Sequence, residues 1–160
     1  MPDVHDRATR SRNMSAISGK NTKPELVIRK ALHATGLRYR LHGKNLPGRP
    51  DLVFPKYHAV VFVNGCFWHG HDCALFRWPA SRREFWENKI RSNQVRDTRN
   101  LKDLAHRGWR TGIVWECALK GKDRLALPHI TEDIRKWLLS DAPSLTISGG
   151  GTVTSGSDTA

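Results

Sequence analysis

The sequence has little that would suit a membrane or an oxidising compartment. Its 160 residues contain no apolar run of about 18 residues, the least that spans a bilayer as a helix. There are only three cysteines, an odd number that argues against a disulfide framework. Residues 1–6 lack the charged and then apolar pattern of a secretory signal peptide. We therefore expect a cytoplasmic protein with thiols free to bind metal and no membrane partner.

Acidic residues are also scarce relative to basic ones. The chain has 15 Asp and Glu against 27 Lys and Arg, a formal net charge of +12, and the positive charge is spread along the chain together with six tryptophans. A merely well-solvated surface is the plainer explanation. Because each phosphate neutralised by Lys or Arg releases bound counterions, the charge favours a nucleic-acid partner instead.

Composition divides the chain into three parts. Residues 1–20 form a basic, polar arm, which we expect to become ordered on DNA. Residues 21–140 carry the apolar patterns of one folded domain, a size that can bury its own core. Residues 141–160 are rich in Ser, Thr and Gly, which predicts a disordered C-terminal tail.

The central part alternates helical and strand patterns. A capping box at 22–25 begins a helix that ends at Gly36, and a second at 81–84 begins a long helix that ends at Gly108. Strands are predicted at 38–42, 51–54, 59–63 and 111–116, followed by a last helix over 128–139. The order α-β-β-β-α-β predicts an α/β fold with one mixed sheet flanked by helices.

Two of the three cysteines lie in a nine-residue loop, 65–73, that also holds two histidines. Cys66, His71 and Cys73, with the distant Cys117 just after a predicted strand, would make a Cys₃His set that closes a zinc tetrahedron. Three unrelated buried cysteines are the alternative. Against that alternative, Cys73 lies in a polar stretch. Because four protein ligands leave no open position, the zinc would be structural.

The same loop carries three further side chains with two interpretations each. Phe67 and Trp68 are either core rings or rings that stack on or wedge between bases, a role favoured by a metal-held loop flanked by glycines. His69 is either a bystander or a general acid or base.

Three carboxylates also stand out. Asp97 shares the apolar face of the long helix, where a carboxylate is costly unless it is paired, and His69 is the candidate partner. Asp51 begins a predicted strand, from which it can reach a divalent metal held over the sheet, although Asp is ordinary in a turn. Glu25 has a plain role in its capping box.

Taken together, these residues resemble the Vsr-type very-short-patch-repair endonucleases. The resemblance covers about residues 3–140 and rests on long, unusual strings at matching spacing. The strings are Asp3-Val4-His5-Asp6, Thr9-Arg10-Ser11-Arg12-Asn13-Met14, Leu46-Pro47-Gly48-Arg49-Pro50-Asp51, Gly65-Cys66-Phe67-Trp68-His69, Glu84-Phe85-Trp86 and Val114-Trp115-Glu116-Cys117-Ala118-Leu119.

The resemblance implies a restriction-endonuclease-like core and a specific reaction. Enzymes of this family nick one DNA strand 5′ to the T of a T·G mismatch, which arises when 5-methylcytosine is deaminated. Mg²⁺ is their catalytic ion and Zn²⁺ is structural. A monomer in the bacterial cytoplasm, associated with the nucleoid through DNA, is implied, as is docking to a MutL-type mismatch-repair protein.

The resemblance also assigns roles to individual residues. Asp51 and the main-chain carbonyl of Val63 would bind Mg²⁺, and Glu25 would join through a water molecule. His69 would be the general base, oriented by Asp97. The zinc ligands would be Cys66, His71, Cys73 and Cys117. The DNA-binding residues would be Met14, Phe67, Trp68 and Trp86, which wedge into the duplex around the mismatch, and Lys89 and Asn93, which contact the major groove.

One position departs from the family pattern. Asn64 stands where some members have a second histidine, and an amide cannot carry a proton to a leaving group. Two other functions stay open at this stage. The chain could be a double-strand restriction endonuclease of the same core, which would need a dimer, or a non-catalytic, zinc-stapled DNA-binding protein.

Overall fold

A computed structural model describes residues 21–155 of the chain. The helices are α1 (Lys23–Ala34), α2 (Arg83–His106) and α3 (Leu127–Leu139), with short 3₁₀ turns at Pro55–Tyr57 and Glu116–Ala118. The strands are β1 (Arg40–Leu41), β2 (Leu52–Phe54), β3 (Ala59–Asn64), β4 (Arg110–Trp115), β5 (Ser144–Ser148) and β6 (Gly151–Ser155). None of these helices is long and apolar enough to cross a membrane.

All six strands form one sheet in the order β1-β2-β3-β4-β5-β6. The pairs β3–β4 and β4–β5 are parallel and the other three are antiparallel, so the predicted mixed sheet is confirmed. Asn64 of β3 pairs with Trp115 of β4 at the carboxyl ends of these strands. The loops that follow β3 and β4 therefore leave the sheet side by side.

The helices cover both faces of the sheet because its central strands are apolar on both sides. Val61 packs with α1 and α3 in the larger cluster of buried residues, whereas its neighbour Val60 packs with Leu104 of α2 in a smaller one. Alternate residues of β3 thus face opposite layers, as the period of a strand requires.

The prediction of a disordered tail over residues 141–160 is wrong for the part that the structure describes. Residues 144–155 form the hairpin β5–β6, and β5 pairs with β4 in parallel. Leu145 and Ile147 are buried, whereas the other three residues of β5 are only half-buried. The Ser, Thr and Gly content suggested disorder, but Thr and Val suit a strand once β4 offers it a partner.

The two predicted capping boxes have different outcomes. At α1, the Thr22 hydroxyl accepts from the Glu25 amide at 3.4 Å, and Glu25 Oε1 accepts from the Asn21 amide at 2.8 Å. The box at 81–84 does not form, because Arg82 is the N-cap of α2, with φ of 56° and no side-chain cap bond. The ends of both helices lie within two residues of those predicted.

Arg110, at the start of β4, joins the sheet to the end of α3. Its guanidinium lies over the Trp137 ring, with Cζ 4.9 Å from the centroid. It donates to four main-chain carbonyls, those of Tyr57 (3.2 Å), Trp137 (3.0 Å), Leu138 (2.9 Å) and Ala142 (3.2 Å).

Replacing Arg110 with alanine should lower the free energy of unfolding by about 2–4 kcal/mol, because these carbonyls lose a charged donor. Denaturant unfolding measures the change. Arg135, which is exposed on α3 and pairs with Glu132, is the matched control, and its replacement should change the free energy of unfolding by no more than about 0.5 kcal/mol. A loss at Arg110 no larger than at Arg135 would mean that the carbonyls do not depend on this side chain.

Candidate functional site

The site begins where β2 and β3 run antiparallel. Leu52 pairs with Val61, so Asp51 lies just before β2 and faces the end of β3. Asp51 Oδ2 accepts a 2.7 Å hydrogen bond from the Val63 amide. The turn at 46–51 therefore holds the Asp51 carboxylate against the end of β3.

A second carboxylate, that of Glu25 in α1, lies next to Asp51. It is completely buried, and its Oε2 accepts from Arg29 Nη1 at 2.9 Å and from His42 Nε2 at 2.8 Å. Burial raises the pKa of Asp51 to about 7; the Val63 amide opposes this rise and the nearby Glu25 carboxylate adds to it. An ionised Asp51 beside the buried Glu25 carboxylate fits a divalent cation, which would offset the repulsion between them.

The predicted contact between His69 and Asp97 is present. His69 Nδ1 and Asp97 Oδ2 are 2.5 Å apart, joining the loop after β3 to α2. Because the carboxylate accepts the Nδ1 proton, Nε2 of a neutral His69 is the basic nitrogen. The His69 side chain is 26% exposed, so its ring is accessible from solvent.

A cleft of about 770 Å³ brings these groups together. Its lining includes Asp51, Val63, Asn64, His69 and Asp97, with His42, Lys44, Arg49 and Arg96. A second cleft of about 790 Å³ shares Val63, His69, Arg96 and Asp97 and continues past Phe67, Trp68, Lys89 and Asn93. Asp51, Asp97 and the His69 imidazole thus lie in a groove lined with positive charge.

The four predicted metal ligands converge next to this groove. The donor atoms of Cys66, His71, Cys73 and Cys117 all lie within 4.8 Å of one another. Zinc bonds of about 2.0–2.3 Å require donor separations of about 3.3–3.8 Å, so little contraction is needed. Cys66 and Cys117 each lie two residues beyond the paired strand ends Asn64 and Trp115, which explains why a distant cysteine meets the loop.

The surroundings of these donors also suit a metal ion. The Cys117 amide donates to Cys66 Sγ at 3.3 Å, and the Gly149 amide donates to Cys117 Sγ at 3.2 Å. Burial raises the pKa of the Cys66 and Cys117 thiols, so a bound cation would be needed to favour the thiolates. Burial lowers the pKa of His71, which keeps its imidazole neutral, as a ligand must be.

The rings of the loop form a surface cluster rather than core. Phe67, Trp68 and Trp86 are half-buried, and their centroids lie 5.3–5.9 Å apart in edge-to-face pairs. Their remaining faces border the second cleft at Phe67 and Trp68. This placement agrees with contact to a ligand.

The other predicted DNA-binding residues differ in what the structure says of them. Lys89 is exposed at the second cleft. Asn93 donates from Nδ2 to the Trp68 carbonyl at 2.9 Å, so its amide group also positions the loop. Met14 lies outside the described residues.

Two contributions were missed by the sequence analysis. His42 reaches Glu25 Oε2 because β1 pairs with β2, and a histidine at the end of a predicted strand was the available signal. Gly149 reaches Cys117 from the β5–β6 turn, where an added Cβ would lie 2.8 Å from Asp123 Cβ. Gly149 was not considered because residues 141–160 were predicted to be disordered.

Sequence similarity to known proteins extends over nearly the whole chain. Residues 2–75 match the model of the family described as DNA mismatch endonuclease Vsr. The DNA mismatch endonuclease Vsr of Escherichia coli (strain K12) is 46% identical over 147 residues, which cover 92% of this chain and 94% of that protein. The type II nicking enzyme V.XorIIP of Xanthomonas oryzae pv. oryzae is 50% identical over 106 residues (66% and 78%). V.NmeAIP of Neisseria meningitidis serogroup A is 44% identical over 122 residues (76% and 87%).

Proposed function

Because this chain belongs to the Vsr family of DNA mismatch endonucleases, we propose that it nicks one DNA strand 5′ to the T of a T·G mismatch in a Mg²⁺-dependent reaction. The observation that carries the proposal is the groove itself. Asp51 on one side, and His69 with Asp97 on the other, line a single basic cleft, and the buried Glu25 carboxylate lies behind Asp51. A metal-binding carboxylate and an oriented imidazole are the groups that phosphodiester hydrolysis needs.

Asp51 is the proposed Mg²⁺ ligand, together with the main-chain carbonyl of Val63, and Glu25 would join through a water molecule. Mg²⁺ supplies charge that stabilises the phosphate as negative charge develops on it. Arg29 and His42 hold Glu25 in place by hydrogen bonds to the same oxygen, Oε2. The buried carboxylates are therefore positioned before DNA arrives, so little reorganisation is needed in the reaction.

His69 is the proposed general base. With Nδ1–H bonded to Asp97, Nε2 can take a proton from the attacking water, and Asp97 stabilises the imidazolium that forms. Asn64 also lines the cleft, but its amide does not transfer a proton. In this proposal Asn64 is therefore not needed for the chemical step, and its replacement should matter far less than that of Asp51.

The Cys₃His cluster is the proposed zinc site, and its role is structural. Four protein donors complete a tetrahedral coordination shell and leave no position for a substrate. Zn²⁺ there would hold the 65–73 loop to the ends of β3 and β4. Since His69 lies within that loop, the zinc site positions the base without taking part in the reaction.

The half-buried rings are the proposed mismatch-binding surface. Phe67, Trp68 and Trp86 would enter the base stack, with Met14 of the arm as a wedge from the other groove. Unstacking a base step costs less at a mismatch than in paired DNA, so a wedge favours mismatched DNA. Lys89 and Asn93, which lie with Trp86 in the N-terminal half of α2, would contact the major groove.

The remaining parts of the proposal follow from family membership. The α/β architecture is assigned to the restriction-endonuclease-like class, and the enzyme acts as a monomer on double-stranded DNA in the bacterial cytoplasm. A MutL-type protein is the proposed repair partner. An enzyme that cuts one strand needs only one active site, which is consistent with a monomer.

A closed DNA circle with a single T·G pair separates the alternatives. Incubated with the protein and Mg²⁺, it should become an open, nicked circle, whereas a circle with T·A in its place should stay closed. Linear product would instead indicate a double-strand endonuclease. A retarded but closed circle would indicate binding without catalysis, and either result would contradict the proposal.

A further inference from the structure

A basic aromatic patch lies beside the second cleft, at the N-terminal end of α2. We define it as Arg77, Trp78, Arg82, Arg83 and Phe85. Trp78 is 37% exposed and Phe85 44% exposed, although both are large aromatic rings. Residues 77–83 contain three arginines and no acidic residue. Exposed rings among arginines are typical of surfaces that bind nucleic acid.

Two of these arginines are stacked on the rings. Arg82 Cζ lies 4.3 Å from the Phe85 centroid, and Arg83 Cζ lies 4.6 Å from the Trp78 centroid. A stacked guanidinium has lost much of its rotamer freedom while its N–H edge still faces outward, which suits it to phosphate. Arg83 also donates from Nε to Glu87 at 2.9 Å, so its charge is partly neutralised. Arg82 is therefore the stronger candidate for a contact to phosphate.

The backbone at Arg82 supports a role outside the fold. Its φ of 56° lies in the left-handed region, where a residue with a Cβ is disfavoured and glycine is not. It occupies the N-cap of α2 without making a side-chain cap bond, so it does not help to begin the helix. What the residue does provide is a cation held over Phe85.

We propose that this patch binds phosphates of the duplex that flanks the mismatch, with Arg82 as the main contact. The proposal rests on the proposed function, since it extends the same DNA surface. The ring centroids of Phe85 and Trp86 are 5.2 Å apart, and those of Trp86 and Phe67 are 5.3 Å apart. The patch is therefore continuous with the rings at the cleft. A duplex bound at those rings carries its phosphate backbone over Arg82.

Arg82→Gly tests the contact because glycine accepts the backbone conformation without strain. Binding to T·G and T·A duplexes is measured by fluorescence anisotropy without divalent metal, over a range of salt. Affinity should fall about five- to tenfold, equally for both duplexes. The slope of log affinity against log salt should shrink by about 0.9, the loss of one phosphate contact. The melting temperature should not fall.

Phe85→Ala and Arg135→Ala are the comparison variants. Phe85→Ala keeps the charge but removes the ring beneath it, so affinity should fall about threefold with the salt slope retained. Arg135, exposed on α3 at the other face of the sheet, should leave affinity and slope unchanged.

Three results overturn the proposal. Arg82→Gly could bind as the wild type does. The Arg82→Gly variant could have a lower melting temperature with unchanged duplex binding, which would show that Arg82 has a structural role. It could weaken binding of single strands but not of duplex, which would make the patch a site for the strand freed at the nick. If the wild type fails to nick T·G DNA while Arg82→Gly still loses duplex affinity and salt slope, the proposed function fails and the patch stands.

Discussion

Replacing Asp51 with alanine should reduce the nicking rate by about a thousandfold or more, while binding to a T·G duplex stays within a few-fold of wild type. The carboxylate is the proposed direct protein ligand of Mg²⁺, and loss of that ion removes several kcal/mol of charge stabilisation at the phosphate. Its removal should not unfold the protein, because its burial and its proximity to Glu25 already oppose its charge. Single-turnover nicking and duplex binding measure the two effects separately.

Asn64→Ala is the matched control for Asp51→Ala, since both residues line the same cleft. Its nicking rate should stay within about tenfold of wild type, because an amide donates or accepts a hydrogen bond but transfers no proton. If Asp51→Ala nicks nearly as fast as wild type, Asp51 is only a turn residue. If Asn64→Ala is as deeply impaired as Asp51→Ala, the assignment of the chemical step to His69 is wrong.

Replacing Cys117 with serine should lower the free energy of unfolding by at least about 3 kcal/mol and abolish nicking, because binding of a structural zinc contributes directly to folding. Cys117 also joins the 65–73 loop to the end of β4, and its Sγ accepts a hydrogen bond from the Gly149 amide. Thermal unfolding and elemental analysis should show one zinc per wild-type chain and a destabilised variant with less metal.

Asp72→Ala is the control for Cys117→Ser, because Asp72 lies between two proposed ligands but is exposed and outside the cluster. It should keep its metal and its melting temperature within about 2 °C. A wild-type sample that is metal-free, folded and fully active would show that the four donors are not a zinc site.

The Cys₃His cluster and the His69–Asp97 pair could be predicted because each leaves a local signal in the sequence. Cys66, His71 and Cys73 are close in the chain, and Cys117 follows a clear strand pattern. Asp97 is a carboxylate on the apolar face of a long helix, which is costly unless a partner such as His69 offsets it. Cys73 is a thiol in a polar stretch and Asp97 is a carboxylate on an apolar face. Each residue type is unusual in its local environment, which indicates a binding partner.

The rest of the site depends on pairings that no local pattern specifies. The local pattern explained Glu25 by its capping box, and only the family resemblance added a role at the metal, although Glu25 is fully buried and bonded to Arg29 and His42. His42 reaches Glu25 only because β1 pairs with β2, and two residues of strand are a weak signal. The β5–β6 hairpin forms because β5 pairs with the edge of β4. That pairing leaves no local signal, and the Ser, Thr and Gly content of the segment taken alone suggested disorder.

The most direct test of the proposed activity is the position of the cut. A duplex with one T·G pair, with each strand carrying its own end label, is incubated with the wild-type protein and Mg²⁺, and the products are sized beside a sequence ladder. We predict a single break in the T-containing strand, immediately 5′ to the mismatched T, with none in the G-containing strand and none when T·A replaces T·G. Cuts in both strands, or equal cutting of the T·A duplex, would contradict the assignment of this protein as a mismatch nicking endonuclease.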